Sequence, residues 1–369
     1  MSTPEVRLER LRPDGIAAAL ARAPIAWIPL GALEYHADHL PNGTDGVTAH
    51  GLVVAAAERL GGVVLPWSYL TVGTLALPWS FRYDPDLVAA ALRQTLRQVA
   101  GYGVSLAVVH TGHAPLDLIH LIKRVCAEVE MEGIGLRAMG LCYLELNAAL
   151  GTGLGTDWPV AVDHGSTMET SWVSALEPGL VAIDRLPTDP RATILGVYGP
   201  NPRFTADAGR GQGEIDRAAA LLAERASSRL RGDDLDPFAD LRSFVERYWP
   251  EPLVLAGRSG GGVGAGDGPA ILITNPAPVS RYLDRIDLRI DGVWIPQTKL
   301  TLVNATVGEL GVPMSAADLG PEHGFYVRRL QTAELRLAVP LASGPHAVDL
   351  TLSLAGVTDA AFVETVDFA

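Results

Sequence analysis

The sequence predicts a layered α/β domain, with a mostly parallel sheet covered by helices on both faces, followed by a small antiparallel β domain. Three observations carry this prediction. Short continuous apolar runs alternate with amphipathic stretches as far as about residue 250, glycine becomes dense over 256–269, and beyond it the apolar period changes to two.

The runs "IAWIPL" (25–30), "GVVLP" (62–66), "VSLAVVH" (104–110) and "GLRAMGLCYL" (135–144) have the unbroken apolar character of strands buried on both faces. Between them, 47–60, 85–100 and 115–131 carry apolar residues at helical spacing, and Asp84-Pro85 offers a cap followed by proline at the first helical position. Strands separated by helices imply right-handed crossovers and a parallel sheet. In "AGRSGGGVGAGDGP" glycine is too dense for a packed element, and the GK[ST] ending of a phosphate loop is missing, so the stretch reads as a linker. After it, "AELRLAV" and "HAVDLTLSL" alternate, and "DLRIDGVWIP" places Asp291-Gly292 at a tight hairpin. The expected division is a catalytic domain over 1–252, a Gly-rich linker over 253–269 and a β-sandwich-like accessory domain over 270–369.

Bulk properties narrow the function. A chain of 369 residues, 48% hydrophobic, has material for more than one core. A formal charge of -13 with no Lys/Arg-rich tract argues against nucleic-acid and anionic-membrane partners and for a small-molecule substrate. Two cysteines, Cys126 and Cys142, without CxxC spacing fit a reducing cytoplasm. The N-terminus has no apolar signal region, and no run is long enough to span a bilayer.

The stretch "GALEYHADHLPNGTD" (31–45) sets Glu34, His36, His39 and Asp45 directly after the first strand, where open α/β sheets bind ligands. "HTGH" (110–113) follows another strand at the same end, and "DHGSTMETS" (163–171) adds Asp163, His164 and Glu169 near a predicted helix start. Imidazole with carboxylate suits zinc, manganese or iron(II), whereas calcium and magnesium prefer oxygen alone and structural zinc recruits cysteine. A pair of ions needs a bridging carboxylate, and Asp45 or Glu34 can serve.

These segments, with "TGH" at 111–113 and "HGSTMETS" at 164–171, resemble the three signatures of the creatininase family, the creatinine amidohydrolases, over about residues 1–250. The resemblance implies an α/β-layered, often hexameric, metal-dependent hydrolase of cyclic amides, formamides or related C–N bonds. It implies Glu34, His36, Asp45, His113 and Glu169 as ligands of two divalent ions, zinc or manganese, with Asp45 bridging, and His164 as acid/base. Asp163, beside it, is the second candidate catalytic residue. The second segment departs from the family's Asn-Gly-His-Gly-Gly-Asn, reading Thr111-Gly112-His113-Ala114-Pro115-Leu116. Creatininase itself carries a ligand glutamate where this chain has Pro115, so creatinine is not the expected substrate, and Glu169 takes that glutamate's place. The C-terminal strands also resemble the small β subunit of C-glycoside deglycosidases.

His39 reads as a hydrogen-bonding neighbour of the ligands or a pocket wall, and Trp158 as a pocket wall. Other walls are expected from 67–83 and 145–162. His50, His110 and His120 read as structural. The expected reaction is amide hydrolysis by metal-activated water, with His164 shuttling a proton. The alternatives are a biosynthetic condensation or rearrangement at the same site and, third, a non-catalytic metal-bound scaffold.

Overall fold

The structure, a computed structural model, describes residues 4–150, 163–233, 254–258, 269–274, 281–304, 313–319, 325–327, 332–354 and 358–368. The chain divides into two compact units, Met1–Phe244 and Val245–Ala369.

The first unit contains helices α1 (Pro13–Arg22), α2 (Thr44–Leu60), α3 (Pro85–Gly101), α4 (Leu116–Met131), α5 (Tyr143–Leu150), α6 (Thr167–Leu176) and α7 (Ala208–Arg231). Its parallel strands are β1 (Ile25–Leu30), β2 (Val63–Val64), β3 (Leu106–Thr111) and β4 (Arg137–Cys142), in the order β2-β1-β3-β4. Ile25 through Leu30 pair with Leu106 through Thr111, and every residue of both strands is buried, which accounts for their continuous apolar sequence. From β1 the chain passes through α2 to β2 on one side, and from β3 through α4 to β4 on the other. The strand order therefore reverses between β1 and β3, and a crevice opens beyond their carboxyl ends.

Helices cover both faces. Ala26, Ile28 and Leu30 of β1 share one core with Val88, Leu92 and Leu96 of α3 and Leu118, Ile122 and Val125 of α4. The opposite face carries α2, α6 and α7, whose alanines, Ala49, Ala56, Ala57, Ala218, Ala219 and Ala226, allow close helix packing. The Asp84 carboxylate accepts the Asp86 and Leu87 N–H groups, with Pro85 at the first helical position of α3. One boundary differs from expectation in a way that matters: α2 begins at Thr44 rather than at 47, so Asp45 stands in its first turn.

In the second unit β5 (Val254–Arg258), β6 (Ala270–Thr274), β9 (Leu300–Asn304), β10 (Met314–Ser315) and β12 (Thr332–Leu337) form one antiparallel sheet in the order β10-β9-β12-β6-β5. The other contains β7 (Arg281–Ile290), β8 (Val293–Ile295), β11 (Phe325–Val327), β13 (Gly344–Leu354) and β14 (Thr358–Phe368). Val348, Leu350 and Leu352 are buried in alternation, and Asp291 and Gly292 both take positive φ between β7 and β8, as a type I′ hairpin requires. The expected linker needs correction: Val254–Arg258 pair with β6 residue by residue, so the sheet begins inside the segment read as a tether. Residues 259–268 lie outside the described residues. No helix among the described residues is long and apolar enough to cross a membrane.

Candidate metal centre

Glu34, His36, Asp45, His113, His164 and Glu169 come together beyond the ends of β1 and β3, each between 0 and 8% exposed. Glu34 and His36 lie on the turn leaving β1, and Asp45 on the first turn of α2. His113 follows β3, and the glycine before it is required there: a Cβ on Gly112 would stand 2.2 Å from the Asp45 carbonyl oxygen. The Thr111 hydroxyl donates to the His113 carbonyl (2.8 Å) and accepts its N–H (3.0 Å), which fixes the turn. Glu169 lies in the first turn of α6. Asp45 and Glu169 thus both sit where helix dipoles favour negative charge.

Asp45 divides its two oxygens between two histidines. Oδ1 is 3.1 Å from His36 Nε2, and Oδ2 is 3.2 Å from His113 Nδ1. Glu34 Oε2 stands 3.2 Å from His113 Nδ1, and Glu169 Oε2 stands 3.3 Å from His36 Nε2. The result is two candidate ligand groups that share Asp45, Glu34–Asp45–His113 and His36–Asp45–Glu169, and a third candidate group, Glu34–His36–His164, beside them, with the potential ligand atoms of each group within 4.8 Å of one another.

This donor set fits divalent cations. Three carboxylates are buried together, a charge that is costly unless cations offset it. His36 Nε2 and Asp45 Oδ2 have no hydrogen-bond partner although ion-pair distances surround them, as expected of ligand atoms gathered about an ion. The His36 Nδ1–H donates to the Glu34 carbonyl (2.9 Å), which leaves Nε2, on the side of the carboxylates, as the nitrogen that would ligate an ion. Burial disfavours charge on His36 and His113, but Asp45 and Glu169 hold the first well above the usual histidine value, and Glu34 and Asp45 hold the second up at about 10. Burial likewise opposes ionisation of Asp45 and Glu34, yet the histidines keep both carboxyls below their usual range.

His164 stacks against His36, ring centroids 4.1 Å apart, and its Nε2–H donates to the Tyr35 carbonyl (3.0 Å). Burial, then His36, lower its pKa. Asp163 faces elsewhere. Its carboxylate accepts the Met168 and Glu169 N–H groups at 3.0 and 3.1 Å, capping α6. His39 is buried and bonded to the Thr170 hydroxyl (2.9 Å), tying the first loop to α6. Trp158 lies outside the described residues. His110 and His120 are buried, with burial pushing both down to about 3, and His50 packs edge-on to Trp67.

Two neighbours of the site carried no mark in the sequence. Tyr198 pairs its backbone with His164 and sets its ring 5.6 Å away, and the Leu75 N–H donates to Glu34 Oε1. The glycines flanking Tyr198 hint at a constrained turn, whereas an N–H on Leu75 is common to nearly every residue.

The creatininase family model, described as creatinine amidohydrolase, matches residues 9–226, and every residue of both ligand groups falls within that span. The chain belongs to the creatininase family. It is thereby a metal-dependent amidohydrolase acting on a small molecule. A creatinine amidohydrolase of Pseudomonas putida is 25% identical over 227 residues, which cover 57% of this chain and 83% of the relative. The creatininase fold is also seen in a putative creatinine amidohydrolase from Bacteroides fragilis, with 18% identity, a TM-score of 0.50, and coverage of 64% of this chain and 99% of that one. A crystal structure of creatininase gives a TM-score of 0.49 at 22% identity, covering 61% of this chain and 98% of its own. Creatininases have been solved in Zn–Zn and Mn forms.

Proposed function

We propose that this creatininase-family enzyme hydrolyses a small cyclic amide, formamide or related C–N bond at a dinuclear centre. Glu34, Asp45 and His113 would hold one divalent ion, and His36, Asp45 and Glu169 the other, zinc or manganese in either place. The observation that carries this reading is the division of Asp45 between His36 and His113, at 3.1 and 3.2 Å. Such a pair of ions polarises a carbonyl and lowers the pKa of water toward neutrality.

The chain's own residues supply the rest. Glu34, Asp45 and Glu169 present buried carboxyl groups to the ions, with His36 and His113 within 3.1 to 3.3 Å of them. With Nε2–H committed to Tyr35, His164 is left with Nδ1 to take and return a proton. Burial and the neighbouring His36 lower its pKa and so favour the neutral imidazole, which suits the role of base before that of acid. Asp163 serves as the cap that aims Glu169, and through the turn between them it seats His164. Pro115 makes creatinine itself a poor candidate. The −13 charge supports a small or neutral substrate, the two cysteines without scaffold spacing support a cytoplasmic setting, and the family resemblance supports a homo-oligomer.

Incubation of the metal-loaded protein with a panel of lactams, cyclic ureas and formamides, read by released amine or carboxylate, tests the assignment. Turnover that stops on chelation and returns with zinc or manganese supports it. A metal-loaded protein inert across the panel, or one that joins amine and acid instead, favours the biosynthetic alternative.

A further inference from the structure

The loop between β2 and α3 reaches the centre at a single ligand group. Its outer part folds on itself: the Leu77 N–H donates to Leu75 (2.8 Å), the Ser80 N–H to Leu77 (3.2 Å), the Thr74 hydroxyl to Phe81 (3.0 Å), and the Arg82 Nε–H to Thr74 (3.0 Å), in each case at the carbonyl. This closed lobe, 73–82, is laced to the ligand turn on either side of Glu34. The Phe81 N–H donates to the Leu33 carbonyl (2.9 Å), and the Tyr35 N–H to the Ser80 hydroxyl (3.1 Å). The Asn42 amide donates to the Trp79 carbonyl at 3.0 Å. Trp79 takes φ 58°, a conformation a non-glycine side chain resists, and the bonds made by Ser80 beside it and by its own carbonyl maintain it.

From this platform the Leu75 N–H donates to Glu34 Oε1, while Oε2 faces His113 at 3.2 Å. The lobe also bears on the other side of the same group. Gly73 has φ +82° and lies so close to Pro115, two residues after His113, that a Cβ would stand 2.6 Å from the proline ring. Glu169 is held differently, by the Gly165 N–H of its own segment (2.6 Å). We infer that the 73–82 lobe is a dedicated positioning element for the Glu34–Asp45–His113 group, with the Leu75 N–H choosing which Glu34 oxygen faces the ion and Ser80 and Asn42 holding the lobe in place. The inference rests on the dinuclear reading, and its consequence is that, beyond the Asp45 carboxylate common to both groups, the lobe supports the Glu34 ion and not the Glu169 ion.

The test is competitive-chelator titration with Zn2+ on the full chain, with Glu34→Gln marking which ion belongs to this group. Leu75→Ala keeps the N–H and should bind both ions as wild type does. Leu75→Pro removes it and should weaken the marked ion by about ten- to a hundredfold while leaving the other unchanged. Ser80→Ala, which touches no ligand side chain, should weaken the same ion in the same direction, and it decides the matter if Leu75→Pro does not fold. Wild-type affinity for both ions in folded Leu75→Pro, or in Ser80→Ala, overturns the inference, as does equal weakening of both ions. A wild-type chain that takes up no zinc instead refutes the metal centre on which the inference stands.

Discussion

The backbone N–H of Glu169 points at the carboxylate of Asp163, 3.1 Å from Oδ1, so the residue that precedes His164 also sets the start of the helix carrying a ligand. Asp163→Ala should therefore lose a helix cap, at about 1 kcal/mol, and weaken metal binding through Glu169. Denaturant unfolding and zinc titration of the variant check this. Unchanged stability and metal affinity with lost turnover would make Asp163 a catalytic group instead.

Lys123 and Glu145 form an ion pair of 2.8 Å with both side chains fully buried, and the Cys142 N–H and Gly140 carbonyl bind its outer atoms. Lys123→Met leaves a carboxylate buried without its cation and should cost about 3–5 kcal/mol. The double variant Lys123→Met with Glu145→Leu should recover most of that loss. A double-mutant cycle of unfolding free energies measures the coupling, and additive losses would contradict it.

The chelated protein should lose stability as pH rises. His113 has a folded pKa of about 10 against 6.5 for free histidine, and His36 is raised as well. A raised pKa contributes stability that is complete below about pH 6.5 and is lost as pH climbs through the folded value. Asp163, pushed up to about 8 by burial and Glu169, adds in the same direction from lower pH. Melting temperatures with chelator should fall between pH 7 and pH 10, while the zinc-loaded protein, whose ligands need no protons, should hold its melting temperature there. Parallel curves for the two forms would contradict the assignment of these histidines as ligands.

All the proposed ligands lie in the unit Met1–Phe244. A chain ending at Phe244 should fold and take up metal, as circular dichroism and metal analysis would show. A folded truncation that binds none would mean that the β unit supplies part of the centre.

The sheet was legible because β1 and β3 are buried on both faces and so have no polar period to obscure them. The candidate ligands were legible because the segments that carry Glu34, His36, Asp45, His113 and Glu169 resemble the creatininase signatures, and the structure brings these five side chains together. What escaped depended on tertiary context. Thr44 and Asp45 are residue types that serve as caps and turns, and only the structure places them inside α2. Val254–Arg258 contains Gly257 and borders a glycine run, and its strand character comes from pairing with β6. The Leu75 donor is a backbone group, which no residue type announces.

The shared carboxylate of Asp45 is most directly tested by the metal-to-protein ratio of dialysed wild type, Asp45→Ala and His164→Ala, taken by elemental analysis on one day from one buffer. About two ions per chain are expected for wild type and for an inactive His164→Ala, and close to none for Asp45→Ala. A full metal complement in Asp45→Ala would contradict a bridging role, and metal lost from His164→Ala would make that histidine a ligand rather than the group that moves the proton.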